Sequence, residues 1–579
     1  MQKDSLLTNS SVAYFLVGFG AIFSLGIGGV HLFDLDELYF AEITREMMHT
    51  GCYGQVTFGF QSLYEKPPLF FWLQAVSMHF WGVNEIGARF PNLICGLLTL
   101  VTLYYIGKRY KGKWFGFLWM CLYATAFLPH FYFKSGIIDP FFNYFLLLAI
   151  YLLSTDVTSF KGWIYGGTGL SIGCALLIKG PMAVLIPFAT LALSYTWFRS
   201  RSFSFKGLIL VMLVAAGLLS CWLIPEIWSN GYTFIKEFWA YHLLLYQHPV
   251  HTHAQPWYYH YLVLFGGCFP SSLFALFFLK EKKMIRNNYF AANMQALLAS
   301  VLLIFSLVGT KIVHYSSMAY FPITFFAADF FCESLYRRNY ICSKIAALFL
   351  LVGLVLGSTL AIIPLMMRYK ALWYSFITNQ VIKDALEVLV VWSYWDSMPG
   401  IIYIIGISVA YYYLIRDRLV PFIGTFICVN IGTLTFFLMC IAPKVEAYTQ
   451  KEMVDFCKAC KGKSLYLTTI GFKSAAPLFY ADQSKALNKR NIAWLLTGEI
   501  DKPCFFILYK SDRDLLRDYQ DIIYIKDMGC FALYQRSPKN LYPCNPDSLT
   551  RVIPKQATCL YPFTILPGPY NKNKHRIYS

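Results

Sequence analysis

The stretch FDLDELYFAEITREMMHTG, residues 33–51, follows the apolar run VAYFLVGFGAIFSLGIGGVHL at residues 12–32. Two carboxylates, Asp36 and Glu37, therefore stand at the exit of the first apolar segment of a chain that is 57% hydrophobic and only 14% charged. A second cluster of charges, YEKPPLFFWL at residues 64–73, comes close behind. Ionisable groups at the end of an apolar span are costly to place, so they indicate a function or a partner.

Long apolar runs recur through all 579 residues. A soluble domain of this length needs far more polar surface, so the composition predicts a polytopic helical membrane protein. The net charge is +18, but the basic residues lie in short loops between apolar runs. That is the positive-inside pattern, and we expect no nucleic-acid partner. The first run has no small-residue cleavage site and is interpreted as a signal anchor.

About thirteen spans are predicted, at roughly 20 apolar residues for each crossing. They cover residues 12–32, 86–107, 114–132, 138–154, 163–178, 182–198, 207–228, 257–279, 291–309, 315–333, 345–366, 400–415 and 420–441.

Five basic loops follow even-numbered spans, at residues 108–113, 199–206, 280–286, 337–344 and 416–418. A cytoplasmic N-terminus places all of them in the cytoplasm. The same parity puts the loop 33–85 outside and exports the chain after residue 442. We therefore predict a transmembrane domain at 1–442, an exported α/β domain at 443–539 and an irregular tail at 540–579.

The exported part contains four short β-like runs, SLYLTTIG, PCFFILYK, DIIYIKD and CFALYQR, with helical stretches between them. It also holds six cysteines: Cys457, Cys460, Cys504, Cys530, Cys544 and Cys559. An even number in an oxidising compartment indicates disulfides, although the pairing stays open. For CKAC at 457–460, a structural bridge or free thiols are favoured over a redox pair.

Asp34 and Glu37 fit a capping box that opens a helix, and Gly51 fits its end. Phe40, Ile43 and Met47 form an apolar stripe, which predicts an amphipathic helix along the outer membrane surface. An alternative is that Asp36 and Glu37 only complement the helix dipole.

Further ionisable groups lie at other outer connections. They are Glu65 and Lys66, Asp139, Lys179, His242, His248, His251 and His253, and Lys311 with His314 and Tyr315. Each alone fits a snorkelling side chain or a local ion pair. Together they predict one pocket in which lysines hold a phosphate, a carboxylate orients or deprotonates an acceptor, and Glu with His holds a divalent metal. This chemistry fits sugar transfer from a lipid-linked phosphosugar.

The motifs DELYFAEITREM, YEKPPLFFWL and GVNEIGARFPN resemble the signature of the GT-C glycosyltransferases related to dolichyl-phosphate-mannose protein mannosyltransferases. In particular they resemble the bacterial lipid A 4-amino-4-deoxy-L-arabinose transferases. The resemblance continues through IIDPFFN, LLIKGPM, AQPWYYHYLVLFGGCFP, FSLVGTKIVHYSSMAYFP and KSAAPLFYAD, and so covers nearly the whole chain in order.

The resemblance implies an all-α membrane fold of thirteen spans with juxtamembrane helices and a small periplasmic C-terminal α/β domain. It implies a bacterial inner-membrane enzyme with an undecaprenyl-phosphate-linked sugar donor, a lipid A or other envelope acceptor, and no nucleotide cofactor. Asp36 and Asp139 match the two loop acids, and Glu37 joins them in the predicted catalytic set.

The same resemblance implies that Glu65 and His242 bind a metal such as zinc. Lys66 matches the lysine of the EKPP pair, and Lys311 matches a lysine near the lipid phosphate. We place Lys179, His314 and Tyr315 in the same phosphate-binding set.

Two positions depart from the aminoarabinose enzymes. Tyr39-Phe40 stands where they have Arg-Tyr, and Leu245 stands where they have an arginine. The loss of two cations weakens the case for the same donor or acceptor. A protein O-glycosyltransferase, a flippase or transporter of prenyl-linked sugars, and a non-catalytic scaffold stay open as alternatives.

Overall fold

The structure is a computed structural model of the chain, and it describes residues 8–34, 36–155, 161–198, 204–247, 255–280, 288–337, 341–484 and 492–538. Helices dominate it. They are α1 (Asn9–Ser24), α2 (Asp36–Thr50), α3 (Leu69–Trp81), α4 (Glu85–Lys111), α5 (Lys113–Thr125), α6 (Phe127–Tyr132), α7 (Asp139–Ser154), α8 (Gly162–Lys179), α9 (Met182–Phe198), α10 (Phe205–Asn230), α11 (Thr233–Gln247), α12 (Tyr259–Gly267), α13 (Ser271–Lys280), α14 (Tyr289–Leu307), α15 (Tyr320–Arg337), α16 (Ser343–Arg368), α17 (Gln380–Glu387), α18 (Met398–Ile415), α19 (Leu419–Cys440), α20 (Ala442–Thr449), α21 (Lys451–Ala459), α22 (Ala476–Tyr480) and α23 (Ile492–Thr497). The strands are β1 (Thr57–Phe58), β2 (Gln61–Ser62), β3 (Tyr466–Thr469), β4 (Cys504–Tyr509), β5 (Ile522–Met528) and β6 (Phe531–Arg536).

Every one of the thirteen predicted apolar stretches contains helix. Among the described residues, six helices are long and apolar enough to cross a bilayer, or seven if α12 and α13, bent by 114°, make one span. Some predicted spans are shorter or broken: 114–132, for example, divides at Ala126 into α5 and α6. The chain is thus a multi-pass membrane protein, and the count of thirteen stays a prediction.

All four predicted β-like runs form strands of one sheet, in the order β3-β4-β6-β5. Strand β3 runs parallel to β4, and the other pairs are antiparallel. Phe505, Ile507 and Leu533 are buried against the helices on one face. The division into domains at 442 and 539 stays a prediction, and the predicted tail 540–579 lies outside the described residues.

The cysteines of this region differ from the expectation of disulfides. Cys457, Cys460, Cys504 and Cys530 are all free thiols and all buried, whereas Cys544 and Cys559 lie outside the described residues. Burial raises the pKa of Cys460 to about 11, so this thiol stays protonated and packs as a small apolar side chain.

Helix α2 occupies the predicted stretch but not the predicted surroundings. It ends at Thr50, before Gly51 with φ of +70°, as expected for a left-handed C-terminal residue. Its polar residues Glu42, Arg45 and Glu46 are as buried as its apolar ones. Helix α2 is therefore enclosed by protein, and its orientation along the membrane surface stays a prediction.

The C-terminal region provides part of that enclosure. The Leu32 amide donates to the Tyr480 hydroxyl at 2.8 Å, and the Gln450 amide nitrogen donates to the Leu32 carbonyl at 2.9 Å. Arg45 donates to Asp482 at 2.7 Å. These bonds join residues 450–482 to α2 and to the residue Leu32 before it.

The predicted capping box between Asp34 and Glu37 does not form. Asp34 Oδ1 instead accepts a hydrogen bond from the Ala475 amide at 3.2 Å. Glu37 Oε1 accepts from Arg89 Nε and from the Gly136 amide, both at 2.7 Å, and Oε2 accepts from Arg89 Nη2 at 2.8 Å and from the Phe33 amide at 2.9 Å. Both oxygens of Glu37 are fully used.

Arg89 uses its other donors on the backbone that follows α1. It donates to the carbonyl oxygens of Ile27 and Val30 at 2.8 Å and of His31 at 2.9 Å. One buried ion pair therefore joins the end of the first span, the start of α2, the first turn of α4 and the turn before α7.

Replacing Arg89 by Met leaves the Glu37 carboxylate buried without a counter-charge. We expect the free energy of unfolding to fall by about 3–5 kcal/mol. The measurement is the melting temperature of the purified full-length protein in detergent.

The matched control is Lys458→Met, which removes a more exposed ion pair with Glu85 at 3.0 Å. It is expected to cost about 1 kcal/mol or less. The double variant Glu37→Gln/Arg89→Met should recover part of the loss. Equal melting temperatures for Arg89→Met and Lys458→Met would contradict the assigned role.

Candidate active site

Four separate parts of the chain bring charged side chains together beside the start of α2. His314 Nε2 lies 3.5 Å from Asp36 Oδ2. Lys179 Nζ, at the end of α8, donates to Asp139 Oδ1 at 2.5 Å. Lys66 completes this group, which we call the charged cluster: Asp36, Lys66, Asp139, Lys179 and His314.

The groups of the charged cluster lie within electrostatic range of one another. Burial and the positive charge of Lys179 lower the pKa of Lys66, and the carboxylates of Glu65, Asp36 and Asp139 oppose that shift. Burial likewise lowers the pKa of His314, against the carboxylates of Asp139 and Asp36. Among the described residues no carboxylate lies within ion-pair distance of Lys66, so its ammonium is available for an anion.

Local chain structure fixes each of these positions. Asp36 and Asp139 are the first residues of α2 and α7, where the helix dipole favours a carboxylate. Pro67 and Pro68 separate Lys66 from Leu69, the first residue of α3. Because proline lacks the amide hydrogen that a helix interior needs, the helix does not extend back to Lys66. Gly180, with φ of +66°, ends α8 directly after Lys179.

Three tyrosines line the charged cluster. Lys66 Nζ lies 6.0 Å from the ring centre of Tyr241, and Lys179 Nζ lies 5.4 Å from that of Tyr315. The ring of Tyr39 packs on Phe58, with centroids 4.2 Å apart. Burial, with the nearby carboxylate of Glu65, raises the pKa of both Tyr39 and Tyr241. Their hydroxyls are therefore neutral hydrogen-bonding groups.

Lys311 lies at the border of this pocket. Its ammonium is buried and donates to the Val308 carbonyl at 2.8 Å. Together with His314 it lies within electrostatic range of His260, whose Nδ1 is 3.1 Å from Ser316 Oγ. Among the described residues, Lys311 forms no ion pair with the carboxylates of the charged cluster.

Glu37, predicted as catalytic, has both carboxylate oxygens occupied by hydrogen bonds. Both of its oxygens are engaged by Arg89 and by backbone amides. Its neighbour Asp36 keeps a side chain that is 47% exposed. The two adjacent acids thus differ in the structure. Glu37 is a positioning residue, whereas the carboxylate of Asp36 is accessible.

The predicted metal pair, Glu65 and His242, stays a prediction, and only the state of His242 bears on it here. His242 Nδ1 lies 2.8 Å from the Phe238 carbonyl, which leaves Nε2 as the nitrogen for a ligand. Burial lowers the pKa of His242, which favours the neutral imidazole that metals require. No group of three or more potential ligands occurs in the described part of the chain. The predicted His248, His251 and His253 lie outside it.

An apolar groove opens next to Lys66 and Lys179. Its cavity is about 560 Å³, and its walls are almost entirely hydrophobic. Pro67 and Gly180, the residues that follow the two lysines, line it together with Trp222, Phe234 and Phe238. A Cβ at Gly180 would lie 2.5 Å from the Phe238 ring, so glycine lets this wall close.

Sequence reasoning missed several residues of the site. His260 is fully buried with no partner for Nε2 in the described structure, and its signal lay inside the motif AQPWYYHY. Tyr241 gave no separate signal, because 18% of the chain is aromatic. Arg89 was visible only as part of GARFPN.

Comparisons with known proteins agree with the predicted resemblance. Residues 65–224 match the dolichyl-phosphate-mannose-protein mannosyltransferase family. An uncharacterized protein of Aquifex aeolicus is 27% identical over 61% of this chain and 79% of its own length.

Two undecaprenyl phosphate-alpha-4-amino-4-deoxy-L-arabinose arabinosyl transferases are similar over shorter parts. That of Shewanella sediminis is 27% identical over 42% of this chain and 46% of its own length. One from Proteus mirabilis is 25% identical over 62% of this chain and 65% of its own length. The chain thus spans about half to two thirds of these relatives.

Two solved structures share the fold. ArnT from Cupriavidus metallidurans bound to undecaprenyl phosphate superposes with a TM-score of 0.76 at 13% identity, covering 93% of this chain and 100% of that chain. Its apo state gives 0.72 at 14% identity, covering 90% and 96%. The predicted helical membrane fold is confirmed, and it is the fold of these two structures.

Proposed function

We propose that the chain is an integral membrane glycosyltransferase. It moves a sugar from a polyprenyl-phosphate-linked donor to a lipid or glycan acceptor of the cell envelope, such as lipid A, at the outer face of the bacterial inner membrane. The proposal rests on one observation, the convergence of five side chains beside an apolar groove: Asp36, Lys66, Asp139, Lys179 and His314.

The groove and the two lysines suit the two halves of such a donor. A prenyl chain in the groove lies against Trp222 and Phe234. These apolar walls are as favourable an environment for a hydrocarbon chain as the interior of the bilayer. Its phosphate then stands beside Lys66 and Lys179, because Pro67 and Gly180 line the same groove. The neighbour that was solved with undecaprenyl phosphate supports this choice of donor.

The transfer is a single displacement with inversion. The acceptor oxygen bonds to the anomeric carbon while the bond from that carbon to the phosphate oxygen breaks, and the electron pair leaves with the phosphate. The ammonium of Lys66 stabilises the charge that accumulates on the departing phosphate. Lys179, held by Asp139, and Lys311, at the edge of the pocket, add positive potential.

Asp36 is the proposed proton acceptor. Its exposed carboxylate is open to an incoming hydroxyl, and His314 at 3.5 Å orients it. If the acceptor is itself a phosphate, no proton is removed and Asp36 orients that group. A divalent metal held by Glu65 and His242 would add Lewis-acid stabilisation of the phosphate when bound.

Tyr39 bears on the choice of sugar or acceptor. It presents a neutral phenol where the resembling aminoarabinose enzymes have a guanidinium. A phenol on the Phe58 ring suits the apolar face and a hydroxyl of a sugar better than it suits a second phosphate. We therefore propose that the enzyme is a hexosyl- or pentosyltransferase whose sugar or acceptor differs from those of the aminoarabinose enzymes.

The direct test compares lipid and surface-glycan fractions, by mass spectrometry, from cells with and without the protein. We expect one hexose, pentose or amino sugar to disappear from one acceptor, with the unused prenyl-linked sugar accumulating. Unchanged fractions would overturn the proposed activity.

Replacing Asp36 by Asn should lower the transfer rate about a hundredfold or more, because general-base catalysis contributes at that scale. The half-exposed position predicts an unchanged melting temperature. Glu37→Gln is the contrasting variant and should lower the melting temperature. A full transfer rate in Asp36→Asn would show that Asp36 is not the proton acceptor.

Replacing Lys66 by Met should weaken binding of polyprenyl phosphate about ten- to a hundredfold, since a hydrogen bond to a charged group is worth about 1.5–3 kcal/mol. Lys236→Met, at an exposed lysine of α11, is the control and should bind normally. Titration of the purified protein with the lipid measures both. Equal affinities would remove Lys66 from the phosphate site.

A further inference from the structure

A second cavity lies at the other end of the helix bundle, between α4 and α7. It has a volume of about 560 Å³. Its lining residues are Val101, Thr102, Tyr105, Ile106, Lys108, Arg109, Leu148 and Tyr151. Arg109 follows Arg89 by twenty residues along one helix, which is about 30 Å at 1.5 Å per residue. The cavity is therefore remote from the charged cluster and unused by the proposed reaction.

The walls and the rim of this cavity differ in chemistry. Val101, Ile106 and Leu148 make an apolar wall, whereas Lys108 and Arg109 stand at the end where the helix enters the basic loop. A site with an apolar wall and a cationic rim matches a ligand with a hydrocarbon chain and an anionic head.

The two cations have no carboxylate partner in the described part of the protein. Within the residues that the structure describes, neither Lys108 nor Arg109 forms an ion pair with a carboxylate. Lys111, by contrast, pairs with Asp329 and with Glu333. Among the described acids, Asp329 and Glu333 thus pair with Lys111 and not with the two cavity cations. Lys108 Nζ lies 6.0 Å from the ring centre of Tyr105, which holds it over the cavity wall.

The cavity also continues into a lipid-facing surface. Ile94, Leu98 and Tyr105 are exposed and follow each other at helical spacing along α4. Thr102 and Tyr144 join α4 to α7 by a hydrogen bond of 3.4 Å behind this stripe. An acyl chain lying along the stripe would place its headgroup at Lys108 and Arg109.

We propose that this cavity, formed by α4 and α7, binds one anionic membrane phospholipid, with its phosphate on Lys108 and Arg109 and an acyl chain on the apolar wall. The site is independent of the transfer reaction. The bound lipid anchors one end of the helix bundle, opposite to the charged cluster, in the other leaflet of the bilayer.

The test is native mass spectrometry of the full-length protein in detergent, titrated with phosphatidylglycerol or with the zwitterionic phosphatidylcholine. We expect phosphatidylglycerol to bind more tightly. Lys108→Ala/Arg109→Ala should weaken it about 25-fold, since one basic residue near a membrane surface is worth about fivefold in affinity. Leu148→Trp, which fills the cavity and keeps both charges, should also weaken binding.

The matched control is Lys344→Ala/Arg416→Ala, which removes two exposed cations from the same predicted side of the membrane. It should bind phosphatidylglycerol like the parent. Equal binding of the two lipids, an equal loss in the control, or displacement of the lipid by inorganic phosphate at the same concentration would each overturn the proposal. Melting temperatures of all variants show that they are folded.

Discussion

The ion pair between Glu37 and Arg89 is the constraint on which the end of the molecule around α2 depends. It satisfies both carboxylate oxygens and fixes three backbone carbonyls after α1. A charge pair this deeply buried is expensive to desolvate, and hydrophobic residues would hold helices together at less cost. Its value is geometric: it sets where α2 begins, and therefore where the carboxylate of Asp36 points.

The charged cluster is the second costly arrangement. Three of its groups, Asp139, Lys179 and His314, have side chains no more than 16% exposed, in a chain where most interior residues are apolar. Asp139 and Lys179 compensate each other, which lets both be buried. Lys66 has no carboxylate within ion-pair distance in the described structure, and burial lowers its pKa. In the proposed reaction, the phosphate of the donor supplies the counter-charge for this ammonium.

Much of this architecture follows from the sequence, for identifiable reasons. Asp139, Lys179 and Lys66 were predictable because a charge at the edge of an apolar run has few structural explanations. The four strands were predictable because short β-branched and aromatic runs alternate with turns. The burial of α2 was not predictable, since an apolar stripe in the sequence is the same whether it faces lipid or protein. Nor was the role of Glu37, because its partner Arg89 is 52 residues away and no local pattern connects them.

Exposure changes steadily across the site, and this gradient explains how two unlike substrates can meet there. The side chain of Asp36 is 47% exposed, that of His314 16%, that of Lys179 14% and that of Asp139 3%. The apolar groove opens at the buried end, beside Gly180. In the proposed reaction, a lipid donor enters from that side, where water is scarce and a glycosyl phosphate is protected from hydrolysis. A polar acceptor enters at the exposed side chain of Asp36. Under this proposal, the sugar crosses only the short distance between the two ends of one pocket.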